Sequence, residues 1–292
     1  MKPKKKDIGT KAKIKAEKEK ERKIATAILT TIILLTIILS AYFGYQILSS
    51  SFIGEALPEP TIQFKPANRN SELKAAIVDH LSLTAPNETF VKAAVQILTN
   101  ANYTVDYYGG EKVTVELYRY LLTIDYDIIL LRVHSAGASL VGGVELALFT
   151  SEPYSSRKYV YEQLKGYVGV VIYSPSDKEA YFGISPNFVQ QCMKDKFKGA
   201  IIIMMGCDGL AGTRMAKAFV DNGAKAYISW NASVSASHTD TATIRLLQHL
   251  ITEKQTIKKA VENTNKEVGP DPTYNSILSY YPFSIGEQTI EK

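Results

Sequence analysis

Cysteine and histidine are scarce in this sequence, which has two cysteines and four histidines in 292 residues. Two cysteines cannot staple a disulfide-rich scaffold, so that class of secreted fold is excluded. No CxxC or HExxH spacing occurs, and we therefore predict no metal site. Glycine-rich phosphate loops of the GxxxxGKS or GxGxxG type are also missing, so the sequence predicts no nucleotide cofactor.

Positive charge is concentrated at the N terminus. Residues 1–23 hold ten lysines and one arginine against four acidic residues, a net charge of +7. The whole chain carries +5, which leaves −2 for the rest. The basicity belongs to a tail and not to a nucleic-acid-binding face, and we predict no nucleic-acid partner.

An uncharged apolar run follows the basic tail at residues 24–48. At about 1.5 Å per helical residue it exceeds a bilayer core of about 30 Å, so it predicts a transmembrane helix that binds the lipid bilayer. A cleaved signal peptide is the alternative, but its apolar core is usually about 7–15 residues long and ends at a small-residue cleavage site. The preceding basic block predicts a single-pass cell-membrane protein with residues 1–23 in the cytoplasm and the remainder outside.

Residues 49–72 contain three prolines and no sustained periodicity, which predicts an extended linker. The segment 73–292 is long enough for one domain with a sizeable core. The predicted organisation is thus a basic tail, a transmembrane helix, a linker and a domain outside the cell.

Strand-like and helix-like segments alternate along this domain. Nearly continuous apolar runs predict strands at 74–80, 103–107, 127–133, 200–205 and 224–230, and amphipathic spacing predicts helices at 90–98, 113–122, 186–196, 212–221 and 239–263. Shorter strands at 146–150, 168–173 and 181–184 indicate an elaboration at the rim, and 276–284 adds a strand or packs on the surface. Buried strands between helices predict a three-layer α/β/α fold with a mainly parallel sheet.

Two reactive side chains directly follow predicted strands. His134 comes after 127–133, and Cys207 comes after IIIMMG, residues 201–206. If these strands are neighbours, about 4.8 Å apart, the imidazole can reach the thiol and favour the reactive thiolate. Gly206 and Gly209 permit a sharp turn that would aim the Cys207 N–H at an oxyanion.

Each of these residues also has an ordinary interpretation. A lone cysteine after an apolar strand is more often inert and buried, and it is the pairing with His134 that favours catalysis. A bridge to Cys192 is discounted because the predicted positions lie about 20 Å apart, and a disulfide needs Cα atoms within about 7 Å. His238 is an alternative partner for Cys207, whereas we expect His80 to be structural and His249 to lie on the surface.

The order of these features resembles the caspase-like clan of cysteine peptidases, which includes caspases, legumain, gingipains, clostripain and the related CHAT domains. The similarity covers about residues 74–265 and is strongest over 207–241. It implies that Cys207 is the nucleophile, that His134 is the base, and that the amides of Cys207 and the Ser135 loop form an oxyanion hole. The sequence departs from the clan in two places: Ser135 stands where glycine is usual, and Met-Met-Gly precedes Cys207 where a small residue followed by alanine, or Ser-Ala, is commoner.

The family arrangement places residues 230–240 along a substrate cleft. Trp230 is a candidate hydrophobic wall, with a core residue at the strand end as the equal alternative, and Ser233 and His238 lie in the same segment. Asp240 or Asp208 could pair with a basic substrate side chain, although aspartate before a helix is more often an N-cap.

The sequence therefore predicts a membrane-anchored cysteine peptidase that hydrolyses proteins or peptides outside the cell. The alternative is a catalytically inactive caspase-like domain that binds or scaffolds partners at the membrane surface. A hydrolase of another substrate class using the same Cys/His pair is a third interpretation.

Overall fold

The computed structural model describes residues 7–52, 58–66, 73–174, 176 and 178–290. The chain forms two compact units, Met1–Ala56 and Leu57–Lys292. The first contains helix α1 (Asp7–Phe52), which runs through the predicted segment 24–48. Within its stretch Lys15–Phe43, an 18-residue window reaches a mean hydropathy of 2.4 and is unburied, so this helix is long and apolar enough to cross a membrane.

The second unit alternates strands and helices. Its strands are β1 (Ile62–Phe64), β2 (Lys74–Asp79), β3 (Thr104–Gly109), β4 (Ile128–Arg132), β5 (Ser135–Leu140), β6 (Gly143–Pro153), β7 (Val168–Val171), β8 (Tyr181–Ile184), β9 (Ile201–Met204), β10 (Ala226–Trp230) and β11 (Leu278–Tyr281). Its helices are α2 (Glu88–Asn100), α3 (Val115–Tyr120), α4 (Val160–Leu164), α5 (Pro186–Gln191), α6 (Arg214–Asp221), α7 (Ala236–Leu247) and α8 (Ile257–Val268).

A seven-stranded sheet in the order β1-β3-β2-β4-β9-β10-β11 forms the centre of this unit. The five inner strands are parallel, and β1 and β11 pair antiparallel at the two edges. The predicted α/β fold with a mainly parallel sheet is therefore confirmed.

Helices cover both faces of the sheet. Residues of α3, α5 and α6 pack on one face, and residues of α2, α7 and α8 pack on the other. Because no face of an inner strand meets water, β4 and β9 are buried along their whole length, which explains their unbroken apolar sequences.

A four-stranded antiparallel sheet is inserted between β4 and β9 in the chain. Its order is β5-β6-β8-β7, and a bridge between Ser139 and Val170 closes it. The predicted strand-like pieces at 146–150, 168–173 and 181–184 fall in β6, β7 and β8. Strand β5 was not predicted, because SAGASL lacks the β-branched and aromatic residues that signal a strand.

The single long helix predicted over 239–263 is wrong. Helix α7 ends at Leu247, a π-helical turn spans Gln248–Thr252, and α8 begins after Thr256, whose side chain accepts from the Lys259 N–H. The apolar spacing continues across the break and conceals it. The surface position predicted for His249 is wrong for the same reason, because α8 folds back and leaves this side chain 5% exposed.

His249 instead lies between two carboxylates. Its Nδ1 is 3.0 Å from Glu253 and its Nε2 is 3.2 Å from Glu267 of α8. Its Nε2 makes no hydrogen bond within the described residues, so His249 brings the turn after α7 into contact with α8 without hydrogen-bonding to that helix.

The folded unit begins earlier than the predicted boundary at residue 73. Residues 62–64 pair with Val105–Tyr107 of β3, and Gln63 Nε2 donates to Asp106 Oδ1 at 2.7 Å. Part of the predicted linker 49–72 is therefore an edge strand. A three-residue strand is too short for an alternating apolar pattern to reveal it in the sequence.

Removing this edge strand should destabilise the unit. We expect the free energy of unfolding of fragment 73–292 to be about 2–4 kcal/mol lower than that of fragment 57–292, because the shorter fragment loses the strand pairing and exposes the edge of β3. Urea denaturation of both fragments measures this difference. Gln63→Ala in 57–292 is the control and should cost only about 1 kcal/mol; equal stability of the two fragments would show that β1 contributes nothing.

Candidate active site

The carboxyl edge of the sheet contains a topological switch point. From β2 the chain moves to β3 on one side, and then returns to place β4 on the other side of β2. In open parallel sheets, ligands bind in the crevice outside the strand ends where the order reverses. His80 follows β2 and His134 lies two residues after β4, so both histidines stand at this crevice.

His134 and Cys207 occupy equivalent positions on neighbouring strands. β4 and β9 are parallel, with Leu131 opposite Met204. Each of the two candidate residues lies three positions beyond that pair. The loop after His134 also touches the loop that carries the thiol, because Ser135 Oγ donates to the Cys207 carbonyl at 2.5 Å.

The turn around Cys207 is tightly held. The Asp208 N–H donates to the Ala232 carbonyl at 3.0 Å, and the Leu210 N–H donates to the Trp230 carbonyl at 2.8 Å. Asp208 adopts a left-handed conformation with φ 59°. Gly209 is required because a Cβ there would collide with the side chain of Ser229.

The thiol of Cys207 is half-buried and contacts the loop after β10. Its Sγ accepts from the Val234 N–H at 3.4 Å and lies 3.6 Å from the Val234 carbonyl, toward which the thiol can donate. Within the described residues, no hydrogen bond joins this sulfur to the His134 ring.

The imidazole of His134 is fixed by a hydroxyl and three rings. Its Nε2 is hydrogen-bonded to Thr84 Oγ1 at 3.2 Å. The ring centroids of Tyr173, His80 and Phe149 lie 5.1, 5.7 and 5.8 Å from its own. With Nε2 engaged, Nδ1 is the ring nitrogen left for another partner.

Both histidines at the crevice are held in their neutral form. Burial, followed by the charge of Arg132, lowers the pKa of His134 below its ordinary value of 6.5. Burial, reinforced by His134, lowers the pKa of His80 to about 3. His80 Nε2 is 2.7 Å from the Tyr173 hydroxyl, while its buried Nδ1 has no hydrogen-bond partner in the described part of the chain.

A buried ion cluster lies next to these rings. Arg132, 1% exposed, donates through Nη1 to Asp79 at 2.8 Å and through Nε and Nη2 to the two oxygens of Asp240 at 2.7 and 2.8 Å. Nη2 also donates to the Ala85 carbonyl, and Asn87 Nδ2 donates to Asp240. Burial raises the pKa of Asp79, against the opposing charge of Arg132.

The predicted cleft residues have separate environments. Trp230 is a core residue, 1% exposed, and its Nε1–H donates to Thr239. Asp240 is 4% exposed and committed to Arg132, so it does not face a cleft as a free carboxylate. His238 packs 5.3 Å from the Trp230 ring with its Nε2 buried, and Ser233 donates to Asp208 at 3.2 Å.

Asp208 lines an open cavity of about 430 Å³ beside the turn at Cys207. Val144 and Leu146 of β6 line the cavity, and the ion pair between Glu145 and Arg214 lies at its rim. The cavity is therefore largely apolar with charges at its rim.

Residues around His134 that sequence reasoning missed are His80, Thr84, Arg132 and Tyr173. His80 could have been found, since it follows a strand just as His134 does. Tyr173 and Thr84 gave no signal, because only tertiary packing brings their segments to this edge.

Cys192 and Cys207 are both free thiols and pack on opposite faces of the sheet. In the described residues, no cluster of three or more potential metal ligands occurs.

Comparison with known proteins gives little sequence similarity. No protein-family model matches the chain, and no curated protein matches it. Among solved structures, the chain is similar to the initiator caspase Dronc of Drosophila, with 12% identity and a TM-score of 0.38 over 80% of this chain and 87% of that one.

The low pKa of His80 predicts a pH-dependent stability. Unfolded His80 takes up a proton near pH 6.5, whereas the folded ring stays neutral down to about pH 3. The unfolded state binds more protons in this window, so stability falls as pH drops from about 6.5 toward 3, by up to about 1.4 kcal/mol per pH unit.

We expect His80→Phe to reduce this dependence and to leave the part that the lowered pKa of His134 contributes, which urea denaturation between pH 4.5 and 7 measures. Tyr173→Phe is the control, since it keeps the buried imidazole and should keep the slope. An unchanged slope in His80→Phe would contradict the assignment.

Proposed function

We propose that this chain is a membrane-anchored cysteine peptidase of the caspase-like type, with Cys207 as nucleophile and His134 as base. The observation that carries the proposal is the equivalent position of the two residues on adjacent parallel strands, beside the switch point of the sheet. The hydrogen bond from Ser135 to Cys207 joins their two loops.

His134 is suited to accept the thiol proton. If its Nε2–H donates to Thr84 Oγ1, the lone pair of the imidazole lies on Nδ1. The lowered pKa of His134 keeps the ring neutral near pH 7, which a general base requires. The thiolate then attacks the peptide carbonyl, the imidazolium protonates the departing amine, and water hydrolyses the thioester.

Two amides are available for an oxyanion. The Cys207 N–H has no hydrogen-bond acceptor among the described residues. The Phe149 N–H donates to the His134 carbonyl at 2.9 Å, so the following pair, Ser135 and Leu148, is the non-hydrogen-bonded type of an antiparallel ladder. The Ser135 N–H therefore points away from β6, and the serine in place of the usual glycine keeps this donor.

We infer that the substrates are proteins or peptides. Cys207 lies between the loop that holds Val234 against the thiol and the cavity beside Asp208. The two parts of a peptide on either side of the cleaved bond would contact these two regions. Because Trp230 and Asp240 are buried, we expect Ser233, Asp208 and the rim of the cavity to contact the substrate side chains.

A second candidate function is a binding or scaffold domain without turnover. It is favoured by the hydrogen bonds of Cys207 Sγ, which join it to Val234 and not to His134. A reactive dyad requires the sulfur to exchange this partner for the imidazole.

An activity-based probe separates the two. We expect a peptide acyloxymethyl ketone to label the fragment 57–292, with labelling abolished in Cys207→Ala and lowered at least about 100-fold in His134→Gln. Mass spectrometry of the labelled peptide identifies the site.

Cys192→Ala is the matched control and should label like the unchanged fragment. The peptidase proposal is contradicted if probes of varied sequence fail to label the folded fragment, or if labelling survives Cys207→Ala. Either outcome would favour the scaffold function.

We further propose that α1 anchors the chain with residues 1–23 in the cytoplasm. The uncharged part of the candidate span, which begins at residue 24, and the basic residues up to Lys23 support this orientation. The full chain should resist alkaline extraction from membranes, and protease added to intact cells should remove the unit 57–292. Protection of that unit until the membrane is permeabilised would show that the orientation is the opposite one.

A further inference from the structure

The Ser135 hydroxyl is joined to the backbone of the nucleophile residue. Ser135 is 6% exposed, and its Oγ donates to the Cys207 carbonyl at 2.5 Å. The same peptide unit is held at its other end, where the Asp208 N–H donates to the Ala232 carbonyl at 3.0 Å. The unit between Cys207 and Asp208 is thus fixed from the β5 side and the β10 side at once.

This peptide unit needs support because the next residue is strained. Asp208 has φ 59°, a left-handed conformation that costs a residue with a Cβ about 1 kcal/mol or more. A flip of the unit toward an ordinary conformation would carry the Cys207 carbonyl away from Ser135. The hydrogen bond therefore opposes the motion that would misplace the thiol.

Gly206 makes room for the same hydroxyl. A Cβ at this position would lie 2.5 Å from Ser135 Oγ and would also press on the Val133 carbonyl. The φ of Gly206 is not in the left-handed range, so glycine is required here by close approach and not by backbone conformation. The Ser135 hydroxyl and the Val133 carbonyl therefore occupy the space that a Cβ at position 206 would need.

We infer that Ser135 is a positioning residue: its hydroxyl, accommodated by Gly206, sets the turn that presents Cys207 to His134. The inference deepens the proposed function and rests on it for the catalytic role of the thiol. Ser135 touches no substrate through this hydroxyl and acts through the backbone of Cys207.

Hydrogen exchange tests the structural half without requiring activity. In the full chain in detergent, we expect Ser135→Ala to speed amide exchange in residues 206–211 by at least about 10-fold, since one of the two bonds on the peptide unit is lost. Ser139→Ala, an exposed serine on the same strand, is the matched control and should leave this exchange unchanged. Exchange in Ser135→Ala within 2-fold of the unchanged chain would overturn the inference.

Kinetics tests the catalytic half. We expect Ser135→Ala to lower kcat for a peptide substrate about 10- to 100-fold with KM changed less than about 2-fold, because misplacing a nucleophile by a fraction of an ångström affects the reacting geometry and not substrate binding. A rise in KM alone, or a wild-type kcat, would contradict a positioning role.

The shared space of Ser135 and Gly206 gives a coupling test. Gly206→Ala should cost at least about 5-fold less in kcat when Ser135→Gly is already present, and the contact with the Val133 carbonyl should prevent full recovery. Independent effects of the two changes would refute the steric link. If the unchanged chain neither cleaves nor labels, the proposed peptidase fails, while the exchange experiment still decides whether Ser135 holds the turn.

Discussion

The buried guanidinium of Arg132 is the interaction on which the arrangement of the carboxyl edge depends. It joins the end of β2 through Asp79, the start of α7 through Asp240, and the loop before α2 through the Ala85 carbonyl. Removing one member of such a cluster leaves an uncompensated buried charge, which typically costs about 3–5 kcal/mol. Three connections that come from distant parts of the chain are therefore fixed around one side chain.

The position of His134 follows from this cluster. The loop that Arg132 holds at Ala85 also carries Thr84, which bonds the His134 ring. The same positive charge adds to burial in keeping the imidazole neutral. A single buried cation thus contributes to both the orientation and the protonation state of the candidate base.

The inserted four-stranded sheet completes the environment of His134. Phe149 from β6 and Tyr173 after β7 enclose the ring, and Ser135 at the start of β5 reaches across to Cys207. The insert therefore supplies packing for the His134 ring and a hydrogen bond for the turn at Cys207. The insert also contributes to the core on one face of the central sheet, through Leu148, Phe182 and Ile184.

The sequence by itself determined the parallel sheet, because unbroken apolar strands between amphipathic helices have no other stable burial, and it determined that His134 and Cys207 follow strands. The apolar helix near the N terminus was equally legible from composition. Only the tertiary structure decided that Trp230 and Asp240 are interior, that His80 and Tyr173 adjoin His134, and that Ser135 and Gly206 share one space. Strand periodicity depends on neighbours along the chain. These contacts join residues that are far apart in the sequence, and local sequence patterns therefore do not predict them.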